Sequence, residues 1–222
     1  MILIITSCSA SKNDVISIPS GSRLVAPQDY LDDEKLVSRL LSIRESIFQD
    51  PRSHVGNRGT YAFDLYVKAG NAYRDLRRDN YEKMKELLVS GNSVGWFFLS
   101  GGYGIIHALE PAVKYQATFN RSISYQNDIP FTGALWKRIL PKILDEIISK
   151  YNPEMTYVFG SRDYTWFIKQ TQTWEGDDVI MLESTGSPGP HWLSTRINAL
   201  VNHILRDEVY GFNARYNKFN KQ

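Results

Sequence analysis

Cysteine is nearly absent: Cys8 is the only one among 222 residues. A single thiol excludes an intramolecular disulfide and any zinc site built from several cysteines. Long apolar runs are missing too. No stretch approaches the ~20 residues that a membrane-spanning helix needs. The N-terminus is apolar for only Ile2–Ile5 before it turns polar, so no signal peptide is expected. The expectation is a soluble protein of the cytoplasm with no membrane partner. An excess of one charge is also lacking: 26 basic residues face 24 acidic ones, a balance that neither supports nor excludes nucleic acid as a partner. With four histidines, no H-E-x-x-H pair and no Asp-rich calcium loop, no metal site is expected, and no cofactor. No internal repeat is visible.

What is present fits one domain, or one domain with an insertion. A chain of this size can bury roughly 70–75% of its unfolded surface, so a core needs no staples. Ile2–Ile5 reads as a short, doubly buried strand. Residues 13–30, with Pro19, Gly21 and Pro27, read as a loop. Asp32–Phe48 places Leu36, Leu40, Ile43 and Ile47 near one helical face. Tyr61–Leu76 and Tyr81–Val89 read as two further helices, the second stopped at Ser90-Gly91. Val94–Leu99, Thr156–Phe159 and Val179–Leu182 read as strands. Leu135–Tyr151, with Thr132 as a possible cap, and Leu193–Leu205 read as helices, and Gly186–Pro190 as a loop. Strands alternating with helices predict an α/β fold: a single three-layer domain over 1–205, with a mostly parallel central sheet and helices on both faces. Residues 206–222 read as a basic, aromatic tail.

Three strands run into loops of hydroxyls and glycine: Ser7–Lys12, Ser100–Gly104 and Gly160–Tyr164. In a parallel sheet such loops line the ligand crevice at the carboxyl ends of the strands. Ser7, Cys8, Ser9 and Lys12 can cradle an anion, with Lys12 supplying charge; a solvated turn is the competing reading. The spacing is not that of a Walker loop. Cys8 reads as a small packed hydrophobe, with a thiolate beside Lys12 as the alternative. Ser100, Gly101, Gly102 and Gly104 allow close backbone approach to a ligand. Tyr103 projects either into that space or into the core. His107 follows as a candidate acid or base. Gly160, Ser161 and Tyr164 line the third loop. Tyr115, Thr132 and Gly133 add polar handles, and Asp128 is a candidate base or a helix cap.

Leu99-Ser100-Gly101-Gly102-Tyr103-Gly104-Ile105-Ile106, followed by Leu109-Glu110 and Tyr115, resembles the L-S-G-x-Y-G-L-L signature of the peroxide stress protein YaaA family. Where the family opens on a short apolar strand ending in S-P-A-K, this chain has Ser7-Cys8-Ser9-Ala10-Ser11-Lys12, without the proline. Its D-x-Y pattern answers to Asp64-Leu65-Tyr66, and its A-S-x-E-Y turn to Gly160–Tyr164. Thr195-Arg196 stands for a late basic helix start. Cys8–Lys12 and Tyr125–Gly133 also resemble the core domain of archaeosine synthase, which attaches lysine to a 7-deazapurine base of transfer RNA. Residues 16–56 look like an insertion relative to the YaaA pattern. The resemblance implies a cytosolic protein of the oxidative-stress type that binds nucleic acid or a nucleotide-like ligand.

Three functions follow as expectations. In one, a basic groove formed by Lys12, Arg74, Arg77, Arg78, Arg162 and Arg196 takes nucleic acid. In another, an enzyme modifies or cleaves a nucleobase or nucleoside: Tyr103 stacks on the base, Asp128 acts as base, and Lys12 holds a phosphate or carboxylate. A partner-binding module is the third. Whether the protein is an enzyme, and in what oligomeric state, is not readable from sequence.

Overall fold

The apolar runs become the strands of a five-stranded sheet in the computed structural model, which describes residues 1–13, 18, 20–91, 93–174, 176, 178–184 and 189–216. In chain order the strands are β1 (Ile2–Ser7), β2 (Thr60–Tyr61), β3 (Val94–Ser100), β4 (Gly104–His107), β5 (Pro111–Ala112), β6 (Met155–Ser161) and β7 (Val179–Ser184). The main sheet has the order β4-β3-β1-β6-β7, while β2 and β5 form a small antiparallel pair. β1 lies at the centre, parallel to β3 on one side and β6 on the other, with Ile4 facing both Trp96 and Tyr157. β7 extends the parallel set and β4 is the antiparallel edge. The fold is therefore α/β with a mostly parallel sheet, as the strand–helix alternation predicts.

Side chains alternate across a strand, and β3 shows both environments. Phe63 and Phe98 pack on Trp96, and Tyr66 and Tyr73 pack on Phe98. Between them, Phe97 meets Tyr30, His107 and Tyr151. The first set comes from the chain between β2 and β3. The second comes from the helices Pro27–Tyr30 and Leu140–Tyr151 and from β4.

Several helices differ from the periodicity reading, each for a local reason. The run Tyr61–Leu76 is broken into the helix Ala62–Val67, a 3-10 turn Asn71–Tyr73 and the helix Arg74–Asp79. Gly70 stands at the break, where a Cβ would lie 2.6 Å from Ser9 Oγ; the tertiary approach of the β1 loop sets the kink. Leu135–Tyr151 is split into Gly133–Trp136 and Leu140–Tyr151. Pro141 removes an N–H and crowds the carbonyl four residues earlier. Residues 27–30, expected in a loop, form one helical turn, and Val209–Tyr216 in the expected tail is helical. Of the Gly186–Pro190 loop, 186–188 lie outside the described residues. So do 217–222 of the tail.

The region 16–56 packs into the core through the helix Glu34–Phe48, which buries Val37, Leu40, Ile43 and Ile47. The same helix buries Arg44, whose Nη1 meets Glu110 Oε1 at 2.5 Å. Its Nε donates to the carbonyl of Tyr103 at 3.0 Å and its Nη2 to that of Ile105 at 2.6 Å. Tyr30 closes the cluster by donating to Glu110 at 3.0 Å. One guanidinium therefore ties this helix to the glycine turn and to β4.

Candidate functional site

After β1 the chain crosses to β3 and β4 on one side; after that it returns to β6 and β7 on the other. In open α/β sheets a reversal of this kind places the ligand crevice at the carboxyl ends of the two strands, here β1 and β6. Cys8 follows β1 and Tyr164 follows β6, and they face each other there, Sγ to Oη 3.7 Å. Cys8 N–H donates to Leu99 O at 2.7 Å, so the ladder with β3 aims the thiol. Gly160 lies beside Ser7: a Cβ there would sit 3.5 Å from Ser7 Cβ.

Behind Cys8 lies a buried set of hydroxyls. Tyr66 and Tyr115 hydroxyls are 3.0 Å apart. Tyr66 donates to Ser100 Oγ at 3.3 Å, and Ser100 Oγ also bonds Tyr115 Oη. Tyr103 N–H donates to the same Ser100 Oγ at 3.1 Å. Tyr73 donates to Thr6 Oγ1 at 3.0 Å and to the carbonyl of Ser7. Burial first, then the neighbouring Cys8, pushes the Tyr66, Tyr115 and Tyr164 hydroxyls well above the ordinary tyrosine range. They stay protonated and act as hydrogen-bond groups.

The glycines admit close packing within the protein. A Cβ on Gly101 would lie 2.5 Å from Ala117 O, and one on Gly102 would lie 2.5 Å from the Tyr115 ring. Gly104 has φ +70 and abuts the Trp136 ring. Thr132 Oγ1 and Trp136 Nε1 both donate to Gly101 O, at 2.7 and 3.0 Å.

Lys12 is half-buried. Its Nζ lies 4.3 Å from the Tyr115 ring centroid and 3.4 Å from Ala10 O. Desolvation is the largest influence and lowers its pKa; Cys8 opposes this and Lys114 adds to it.

The expected residues divide accordingly. Lys12, Ser100, Gly102 and Tyr115 form one contacting group; Cys8 with Tyr164, and Ser7 with Gly160, meet at the ends of β1 and β6; Ser9 lies against Gly70 and Gly101 is held by Thr132 and Trp136; Ser161 leads into the helix Arg162–Ile168 that carries Tyr164. Tyr103 is 5% exposed, packed edge-on against Phe48 and Tyr115, and its hydroxyl accepts from Val113 N–H at 2.7 Å. Burial raises it to about 12. The ring is a wall of the core, with no face turned to a ligand. His107 is likewise buried; Nδ1 accepts from Leu109 N–H at 3.1 Å, and burial lowers its pKa to about 3, which makes it a neutral structural group. Asp128 is exposed, in left-handed backbone (φ 50) after the helix Arg121–Asn127. Gly133 begins the next helix. Arg196 lies over Trp192 on the helix Gly189–Leu205, 3.9 Å from the ring centroid.

Sequence reasoning did not pick out Thr118 and Phe119, which border the crevice. The Thr118 hydroxyl lies near that of Tyr164 and eases the upward shift of its pKa, and the Phe119 ring lies 4.9 Å from that of Tyr164. Nothing in the local sequence marks them. Tyr66 and Tyr73 fall at helical spacing within Tyr61–Leu76, and Tyr66 also within a D-x-Y pattern; neither signal marks them as site residues. Comparison with known proteins adds nothing to this geometry: no protein-family model and no curated protein matches the chain.

Proposed function

We propose that the crevice between the ends of β1 and β6 binds a small ligand carrying a nucleobase, in a YaaA-like cytosolic protein of the stress-protective, nucleic-acid-related type. The observation that carries this reading is the convergence of Cys8 and Tyr164, 3.7 Å apart, at the reversal point of the sheet. Behind them the Tyr66–Ser100–Tyr115 hydroxyls offer neutral donors and acceptors of the kind that read the edge of a base. The two packing environments of β3 support a three-layer arrangement around this site.

A binding groove made of the sequence-predicted cations fits less well. Arg74 and Arg78 both face Asp75, and Arg78 also binds Asp79. Arg77 donates to Lys68 O. These side chains stiffen a helix surface. An enzymatic role on the base draws support from Lys12: an amine with a lowered pKa can accept a proton.

The test is a thermal-shift titration with nucleobases and nucleosides, on wild type and on Tyr164→Ala. Wild type is expected to be stabilised by at least one base-bearing ligand, and the variant to lose that stabilisation while keeping its far-UV spectrum. An unshifted wild type across the whole panel would refute the reading.

A further inference from the structure

The chain leaves the crevice at Thr118 and returns at Phe131, and the two residues are joined in an isolated bridge. Thr118 N–H donates to Pro130 O, and Thr132 N–H to Thr118 O, both at 3.0 Å. Thr132 Oγ1 ties this root to the glycine turn by donating to Gly101 O at 2.7 Å. Residues 119–130 are therefore a compact excursion with its two ends held together, the form of a functional surface loop.

The body of the loop is the helix Arg121–Asn127, which buries none of its residues. The helix Leu140–Tyr151, by contrast, buries five. Tyr125 is 91% exposed. The side-chain bonds of the loop stay within it: Asn120 Oδ1 accepts from Ile123 N–H at 2.9 Å, Ser124 Oγ donates to Ile129 O at 2.5 Å, and Asn127 Nδ2 donates to Ile123 O at 2.9 Å. Seven residues without a packed face are supported by neither length nor burial, and such a segment opens at little cost.

The loop is fastened at the crevice wall. Phe119 packs on the rings of Tyr164 and Phe167, at 4.9 and 4.7 Å. Asn120 Nδ2 donates to Asp163 Oδ2 at 2.5 Å. All three partners belong to the helix Arg162–Ile168. At the far end Asp128 takes left-handed backbone, φ 50. Residues 121–127 thus hang between two fixed ends. Arg121 lies over the Phe131 ring at the root, 5.1 Å from its centroid, and Tyr125, four residues on, shares that helix face. The exposed ring is on the side of the helix that looks towards the root.

We propose that residues 120–129 form a lid of the crevice, which folds onto a bound ligand with Tyr125 as its contact residue. The inference rests on the crevice being the base-binding site, and adds the aromatic ring that covers the base. Closure of such a loop shuts water out of the site.

Hydrogen exchange read by mass spectrometry, with thermal shift as the separate measure of binding, tests this. The probes are adenosine, guanosine, cytidine, uridine and their 5′-monophosphates. In the free protein, amides of 121–128 are expected to exchange at least about 100-fold faster than those of Leu140–Tyr151. A probe that raises the melting temperature, added at about ten times its Kd, should slow 121–128 roughly ten-fold and leave the helix Glu34–Phe48 unchanged. Tyr125→Ala should keep the melting temperature of the free protein, since the ring is exposed, and weaken binding roughly ten-fold. Tyr125→Phe should stay within about two-fold of wild type.

A probe that binds without slowing 121–128, or binds Tyr125→Ala as well as wild type, overturns the lid and leaves the base site standing. Slow exchange of 121–128 in the free protein also overturns the lid, whatever binds. A panel in which nothing binds overturns both.

Discussion

Replacing Glu110 by alanine tests how the glycine turn is held. Arg44 and Glu110 side chains are 7% and 6% exposed, and in the variant the guanidinium keeps the carbonyls of Tyr103 and Ile105 but loses its counter-ion. Tyr30 Oη loses its acceptor, and the long contact from His107 N–H at 3.3 Å also goes. Removing one partner of a buried ion pair costs about 3–5 kcal/mol, because the other charge stays desolvated. Against a total stability of roughly 5–15 kcal/mol this is a large share. It corresponds to a fall in melting temperature of about 6–20 °C for a chain of this length. Urea denaturation followed by circular dichroism gives the free energy directly. The double variant Arg44→Met/Glu110→Leu removes both charges and keeps apolar volume, and should recover part of the loss, the carbonyls of Tyr103 and Ile105 being left without a donor. A cost below about 1 kcal/mol for Glu110→Ala, or a double variant no better than the single one, would refute the argument that an isolated buried charge is what destabilises.

Three further outcomes follow. Gly104→Ala combines left-handed backbone, about 1–2 kcal/mol, with a methyl placed 2.6 Å from the Trp136 ring, about 1–3 kcal/mol; a loss of about 2–5 kcal/mol in urea unfolding is expected. Gly160→Ala, whose methyl meets nothing closer than 3.5 Å, should cost less than Gly104→Ala in the same assay. His107 has a folded pKa of about 3, lowered by burial, against about 6.5 unfolded. The unfolded chain therefore binds the extra proton between these values. The stability this histidine confers is complete above about pH 6.5 and is lost as pH falls towards 3. His107→Gln should flatten the stability profile between pH 6 and 4 by up to about 1.4 kcal/mol per pH unit; an unchanged slope would show that other groups set it.

The strands were the legible part of the fold, because a continuous apolar run such as Ile2–Ile5 or Val94–Leu99 has few other solutions in a chain of this kind. β4 was not legible. Gly104–His107 is four residues long, directly follows a glycine turn, and has its Ile105 carbonyl held by Arg44 from a distant helix. The break at Gly70 was hidden for a similar reason, since Ser9 creates it. At the site, the loop residues Cys8, Ser100 and Tyr164 could be found from their position after strands. Tyr103 read equally well as a ligand platform or as a packed ring, and Phe48, fifty-odd residues away in the chain, with Tyr115 and Val113, decides between them. Tyr66 has the spacing of a core residue and is one: its ring packs and its hydroxyl joins the site, two roles that a periodicity pattern cannot separate.

The Arg44 clamp has a consequence for trimming or grafting this protein. Residues 16–56, which read from sequence as an insertion, are the part that a minimal version of the chain would be drawn by deleting. That deletion would take away the guanidinium that fixes Tyr103 and Ile105, and Phe48, which backs Tyr103 and Tyr115. Variation in this region then propagates inward to the floor beneath Lys12. Swapping the segment between related chains would be expected to re-tune the crevice as much as the surface, and specificity should travel with it.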